Sequence, residues 1–412
     1  MSGYPLLSLA IWVPIVAGLL ILAVGRDNNA GFTRVLALIG AVAGLVVTFP
    51  LYTKFDAQAT VMQFVELSPW IPRFNINYHL GIDGISMPFI ILNSFITVIV
   101  VLAGWQVIQF KPAQYNAAFL IMSGLFNGIF CSLDGILFYV FFEASLIPMY
   151  LIIGIWGGHN RVYAAIKFFL YTLLGSLLFL VAQLYLFIYS GGSFSILDWH
   201  QMPIPMGPQI AIFMAFLIAF AVKVPMWPVH TWLPDAHPEA PTGGSIVLAA
   251  IALKLGGYAF LRFSLPIVPD ASHELSWLMI ALSLIAVVYI GFVALVQADM
   301  KRLVAYSSIA HMGFVTLGFF MFTPLAVEGA IVQMISHGFV AGAMFYCIGV
   351  VYDRMHTREI AAYGGLVNNM PLYACIFMVF TMASVTSFGA FSPGINTEPM
   401  TRSASRSSLE IS

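Results

Sequence analysis

The sequence predicts an all-α polytopic membrane protein of about twelve transmembrane helices. Three observations predict it. Of 412 residues, 61% are hydrophobic and only 8% are charged, where a soluble domain carries roughly 25% charged residues. Apolar runs of the roughly 20 residues needed to cross about 30 Å of hydrocarbon recur along nearly the whole chain. No barrel-like alternation occurs, and open strand edges do not survive in lipid, so the spans are helical.

The spans are expected at 5–24, 33–51, 82–104, 115–133, 135–155, 164–189, 208–235, 242–262, 276–297, 302–321, 326–350 and 370–388. The first, from Leu6 to Val24, has no charged lead-in and no small-residue cleavage site. It reads as a spanning helix rather than a removable signal peptide. Gly175 and Ser176 inside the sixth are residues that let membrane helices approach closely. The loop 52–81, with Trp70, Pro72 and Tyr78, reads as an interfacial stretch. From about Ser392 to Ser412 the chain is Ser-rich, polar and unpatterned, so it is expected to be disordered or foreign to the fold.

The basic residues sort with the spans. With the N-terminus outside, one side holds Arg26, Arg34, Lys111, Arg161, Lys167, Lys301, Arg302, Arg354 and Arg358, and the other holds Lys54, Arg73 and Arg262. The richer side is predicted to be cytoplasmic and the N-terminus extracytoplasmic. A net charge of −1 points neither to nucleic acid nor to a polybasic surface anchor. Cys131, Cys347 and Cys375 have no CxxC spacing and read as small apolar fillers. No phosphate-binding loop, dinucleotide fingerprint or metal-ligand spacing occurs, so this chain is expected to hold no cofactor and no metal.

Function is carried by the few ionisable residues inside spans. Glu143 in YVFFEASLIP lies in the fifth, Lys223 in FAVKVPMWP in the seventh, and Lys254 in LAAIALKLGGY in the eighth. Each costs roughly 2.5–3.5 kcal/mol at a helix centre on insertion scales. They are therefore expected to face a protein interior or hydrated cavity, as a polar layer across the bundle. Two lysines and one carboxylate cannot all pair, which leaves an ammonium group to exchange its proton. Pro225 and Pro228 directly follow Lys223 and should break the seventh span, as at many transport sites. His311 in YSSIAHMGF and His337 in VQMISHGFV lie near the middle of the tenth and eleventh spans. Each is either a proton carrier or a satisfied polar contact. His230 and His237, in HTWLPDAHPEAPT, form an uptake route or else stabilise a proline-rich turn. Asp83 and Asp134 read as boundary residues within reach of water.

Several long motifs resemble one family. KVPMWPVHTWLPDAHPEAPTGGSIVLAAIALKLGGYAFLR (223–262), DMKRLVAYSSIAHMGF (299–314), QMISHG (333–338) and WGGHNRVYAAIKFFLYTLLGS (156–176) resemble the antiporter-like subunits of respiratory complex I, the NADH-quinone oxidoreductase. NYHLGIDGISMPFIILNSFIT (77–97) is similar to the chain-4 type, and the likeness covers about residues 1–385. It implies an inverted-repeat fold with a broken seventh helix: N-terminal helices over 1–112, a first repeat over 113–265, a second over 266–388, and a tail over 389–412. It also implies proton translocation as part of a translocase, with Glu143 and Lys223 as a switching pair, Lys254 as central relay, and His311 and His337 beyond it. No redox chemistry is expected in this chain. NADH, FMN, iron–sulfur clusters and quinone belong to partner subunits, among them sister antiporter-like subunits, in a bacterial inner membrane with its lipid.

The chain departs from the family after TMASV (381–385), where the family continues into a broken helix bearing a glutamate. The sequence there reads as a truncation or reading-frame change that leaves the second repeat incomplete. The competing readings are a Na⁺/H⁺ antiporter subunit of the related multisubunit or hydrogenase type, and a non-conducting membrane scaffold.

Overall fold

The computed structural model describes residues 4–25 and 29–386. Arg26, the end of the twelfth expected span and the predicted disordered tail lie outside the described residues.

Every expected span falls on a helix or a split helix. In order they are α1 (Leu6–Val24), α2 (Ala30–Thr53), α3 (Ser86–Ala103), α4 (Pro112–Cys131), α5 (Gly135–Ala144) and α6 (Leu146–Trp156). After these come α7 (Arg161–Tyr189), α8 (Met206–Lys223), α9 (Leu233–Glu239) and α10 (Thr242–Ile267). The last four are α11 (Ser276–Leu295), α12 (Met300–Phe319), α13 (Pro324–Met355) and α14 (Pro371–Thr386). Among the described residues nine helices are long and apolar enough to cross a membrane, α5 and α6 counting as one. The α4 and α12 helices are diluted by buried polar groups such as Asn116, Asn127, Lys301 and His311. The protein is a multi-pass helical membrane protein.

Local chemistry sets the helix starts. Asp134 accepts hydrogen bonds from the amides of Ile136 and Leu137, and Asp299 from those of Lys301 and Arg302. Each satisfies amides that a helix N-terminus leaves without partners. Thr323 caps α13 in the same way, with Pro324 at its first position.

Helices bind one another through packed aromatics and a few polar contacts. Asn93 of α3 donates to Asn127 of α4 at 2.8 Å, and Asn127 donates to the Ala10 carbonyl of α1 at 2.8 Å. In lipid such contacts hold helices together where apolar burial alone supplies little drive. Phe179 meets Phe216, Phe220 and Phe263 edge-on, which locks α7, α8 and α10 together.

The structure corrects several expectations. The loop 52–81 is not merely interfacial. It folds as an antiparallel hairpin of β1 (Gln63–Ile71) and β2 (Ile76–Ile82), turned by Asn75 in the left-handed region at φ 53°. Glu66 of β1 accepts the Leu7 amide at 2.8 Å, which ties the hairpin to the start of α1. The fifth span is split at Ser145, because Pro148 has no N–H to give the Ala144 carbonyl. Within α10, π-helical turns occupy Leu248–Ala252 and Phe260–Ser264, on either side of Lys254. Asp134 is buried rather than within reach of water, since its carboxylate is consumed in capping α5 and binding the Asn77 amide. Arg262 is no loop cation: it is buried and pairs with Asp83 at 2.8 Å. Lys301, counted with the surface charges, is buried as well. Cys131 and Cys347 are buried, but Cys375 is exposed.

The basic residues do gather on one face. Lys167 pairs with Asp235 at 2.7 Å, Arg302 with Asp235 at 3.8 Å, and Arg358 with Asp299 at 3.1 Å and Glu239 at 3.8 Å. This basic face lies at the ends of α9 and α12, and the hairpin lies at the opposite ends of the helices.

Candidate proton-carrying site

The site begins where the seventh span breaks. Helix α8 ends at Lys223, so this lysine sits at the break itself rather than in mid-helix. Pro225 cannot donate to the Ala221 carbonyl, and the amide of Met226 takes that place at 2.7 Å. The indole N–H of Trp232 donates to the Val222 carbonyl at 2.8 Å. The Ala221 and Val222 carbonyls at the break are thus satisfied within the protein, as lipid demands. The Lys223 ammonium lies 4.4 Å from the centre of the Phe142 ring.

Glu143 projects from α5, one residue beyond Phe142. Its Oε1 is buried with no hydrogen-bond partner, and Ser176 and Tyr139 lie beside it. Glu143 and Lys223 act on one another electrostatically. Among the described residues, however, they are not one of the ion pairs closer than 4.0 Å. The carboxylate and the ammonium are near but apart.

Lys254 forms the second group. It is fully buried, and its Nζ lies 2.5 Å from the Ala249 carbonyl and 2.6 Å from Nδ1 of His337. The ring of His311 stands 5.3 Å from that of His337, centre to centre. Nδ1 and Nε2 of His311 lie 2.7 Å and 3.2 Å from the carbonyls of Ser307 and Ser384, so a doubly protonated ring donates to both. A void of about 10 Å³ lies between Ser307, His311, Gln333, His337 and Ser384, about the size of one water.

The seventh-span histidines part company. His237 is fully buried, stacked on Phe345 at 4.4 Å, and both its ring nitrogens lack partners. It lies within electrostatic reach of Lys254 and His337 and so joins the second group. His230 turns toward the basic face, beside the Pro228 carbonyl and within reach of Lys167.

Helix α10 links the two groups. Gly256 abuts the break: a Cβ there would lie 2.8 Å from the Val224 amide nitrogen and 3.0 Å from the Lys223 Cβ. Only a residue without a side chain lets α10 pass Lys223 so closely while presenting Lys254 two positions earlier.

Sequence reasoning overlooked Gln333 and Lys301. Both polar atoms of the Gln333 amide are buried without partners beside the two histidines. Its spacing of four from His337 on one helix was the available signal. Lys301 gave no such signal, because it stands next to Arg302 at a helix start, where a solvated charge is expected.

Comparison with known proteins agrees with this architecture. Residues 132–389 match the family described as NADH:quinone oxidoreductase/Mrp antiporter, TM, and residues 36–131 match NADH-ubiquinone oxidoreductase chain 4, amino terminus. NADH-quinone oxidoreductase subunit M of Rhodobacter capsulatus is 50% identical over 398 residues, covering 92% of this chain and 77% of that protein. A chain of respiratory complex I from Thermus thermophilus superposes with TM-score 0.85 at 31% identity, covering 93% of this chain and 80% of that one. A chain of the Mrp complex from Dietzia sp. shares the fold, with TM-score 0.76 at 22% identity over 93% of this chain and 43% of its own. The chain belongs to the NADH:quinone oxidoreductase/Mrp antiporter transmembrane family, on the branch of the complex I membrane subunits called subunit M or chain 4.

Proposed function

We propose that this chain translocates protons as a membrane subunit of an NADH-quinone oxidoreductase, through Glu143, Lys223, Lys254, His337 and His311. The observation that carries the reading is the 2.6 Å contact between the buried Lys254 ammonium and His337, eighty-three residues apart. An ammonium that donates to Nδ1 leaves the other ring proton on Nε2, which has no partner. A proton passed from Lys254 to Nδ1 therefore lets His337 release a different proton from Nε2, toward Gln333, the water-sized void and His311. Imidazole carries charge this way without moving its ring.

Glu143 and Lys223 gate the supply. When they approach, the pair holds its charge locally. When they stand apart, as here, Lys223 is free to pass its proton along α10. Quinone reduction in partner subunits supplies the drive, and NADH, FMN, iron–sulfur clusters and quinone reside there. Sister antiporter-like subunits flank the chain in a bacterial inner membrane, with the basic face cytoplasmic and the N-terminus outside.

The test is Lys254→Ala in the assembled complex in sealed, inverted vesicles. NADH oxidation should persist in uncoupled form while the NADH-driven pH gradient is reduced. A normal gradient at normal oxidation rate would reject the role. Replacing sodium by potassium should leave the native gradient unchanged, and a strict sodium requirement would favour the antiporter alternative.

A further inference from the structure

The proton path needs a mouth, and the residues placed above do not supply one for Lys254. On the basic face a cavity of about 400 Å³ opens between the ends of α3, α4, α6, α9 and α13, lined in part by His159, Glu239, Asp353, Arg358 and, at its floor, Lys301. Lys301 is only 3% exposed. Its Nζ donates to the Ala240 carbonyl at 2.8 Å and to Ser245 Oγ at 3.4 Å. Arg358 acts on it as a like charge and Asp299, Asp353 and Glu239 as opposite ones, yet among the described residues no carboxylate pairs with it within 4.0 Å.

Behind that floor lies His237. Ser245, which accepts from Lys301, donates to the His237 carbonyl at 2.9 Å, so one side chain joins the two residues. The His237 ring, with both nitrogens unpartnered, lies within electrostatic reach of both Lys301 and Lys254. Lys301 lines the open cavity, and His237, which does not, links it electrostatically to the central lysine. A fixed structural cation would be expected to hold a carboxylate of its own, and a buried imidazole with both nitrogens unpartnered has no packing purpose that phenylalanine would not serve better.

We propose that this cavity is a proton inlet serving Lys254 directly, with Lys301 as its innermost acceptor and His237 as the carrier behind it. A hydronium in the cavity gives its proton to the neutral Lys301 amine, forming an N–H bond and leaving water. Lys301 passes a proton to one ring nitrogen of His237, which releases the proton on its other nitrogen to the neutral Lys254. No electrons move: Lys301 is neutral again, Lys254 is an ammonium until it passes its proton to His337, and His237 is left as its other tautomer, which a ring turn or a second exchange resets before the next proton. The inlet rests on the proton-carrying role proposed for Lys254 and adds a route that bypasses Glu143 and Lys223.

The experiment compares Lys301→Arg with Lys254→Ala in the assembled complex, with NADH oxidation and the pH gradient read together. Arginine keeps the charge and the hydrogen-bond donors but does not give up a proton. Lys301→Arg should assemble and show a reduced gradient, as Lys254→Ala does. A native gradient in Lys301→Arg, with Lys254→Ala defective, would overturn the inlet alone. A native gradient in Lys254→Ala would overturn the proton-carrying reading beneath it. Should Lys301→Arg fail to assemble, His159→Cys at the exposed rim, in a chain whose own Cys131, Cys347 and Cys375 are replaced by alanine, can be plugged with a bulky membrane-impermeant maleimide, the same reagent on the complex with His159 intact serving as the control. Plugging should depress the gradient, and an unchanged gradient would overturn the proposal.

Discussion

At the scale of single residues, the chemistry turns on where each buried charge finds its neighbour. Lys254 finds an imidazole and a carbonyl rather than a carboxylate, which suits it to pass a proton rather than to hold an ion pair. His337→Phe keeps the ring and removes both nitrogens. It should leave the complex assembled and lower the proton yield per NADH, measured as acidification of inverted vesicles, and an undiminished yield would show the contact to be structural. Glu143, Lys223 and Lys254 could be singled out in the sequence because a charge in an apolar run has a known energetic cost. Their partners could not. Nothing in the spacing of Lys254 and His337 along the chain says that they touch, and the near but unpaired geometry of Glu143 and Lys223 is a property of helix placement. Lys301 was hidden for the opposite reason: beside Arg302 it looks solvated, and only the tertiary structure closes α9 and α10 over it.

At the scale of elements, breaks and close approaches matter more than helix propensity. The prolines after Lys223 announce the break in the sequence. The π turns of α10 and the crossing at Gly256 do not, since both depend on which helix lies alongside. Gly256→Ala places a methyl group against the backbone of residue 224 and should cost about 1–3 kcal/mol through overpacking. A lowered thermal transition of the purified complex would register it, and an unchanged transition would mean that α10 yields freely. On the hairpin face, Arg262 binds Asp83, the Ser86 hydroxyl and Tyr258, and so clamps α10 to α3. Burial pushes the Asp83 pKa up, but Arg262 and the Ser86 donors outweigh it and hold the carboxyl below its ordinary value. The folded state thus binds this proton less readily than the unfolded chain. The clamp's contribution is complete above the ordinary carboxylate pKa, about 3.9, and is lost as pH falls through the lowered one. Asp83→Asn should flatten the acid limb of the stability–pH curve, and an acid limb as steep as the native one would place the titration elsewhere. The hairpin itself was illegible as strand, because a short amphipathic loop rich in aromatics reads equally well as an interfacial segment.

At the scale of the whole molecule, the alternating spans were legible because lipid imposes one simple rule on twenty-residue runs. The gathering of Lys167, Arg302 and Arg358 with Asp235, Glu239 and Asp299 follows the alternation predicted from loop charges. What the alternation leaves out is the interior. Two charged groups, one around Glu143 and Lys223 and one around Lys254 and His337, are joined by a single helix that runs from the basic face to the Arg262 clamp. These interior charges are the proposed proton carriers. The number of protons moved per electron by the assembled complex in sealed vesicles, native against Glu143→Gln and Lys223→Ala, tests that role. The ratio should fall in both variants while quinone reduction continues. A ratio equal to the native one in both would leave the interior charges without a part in translocation.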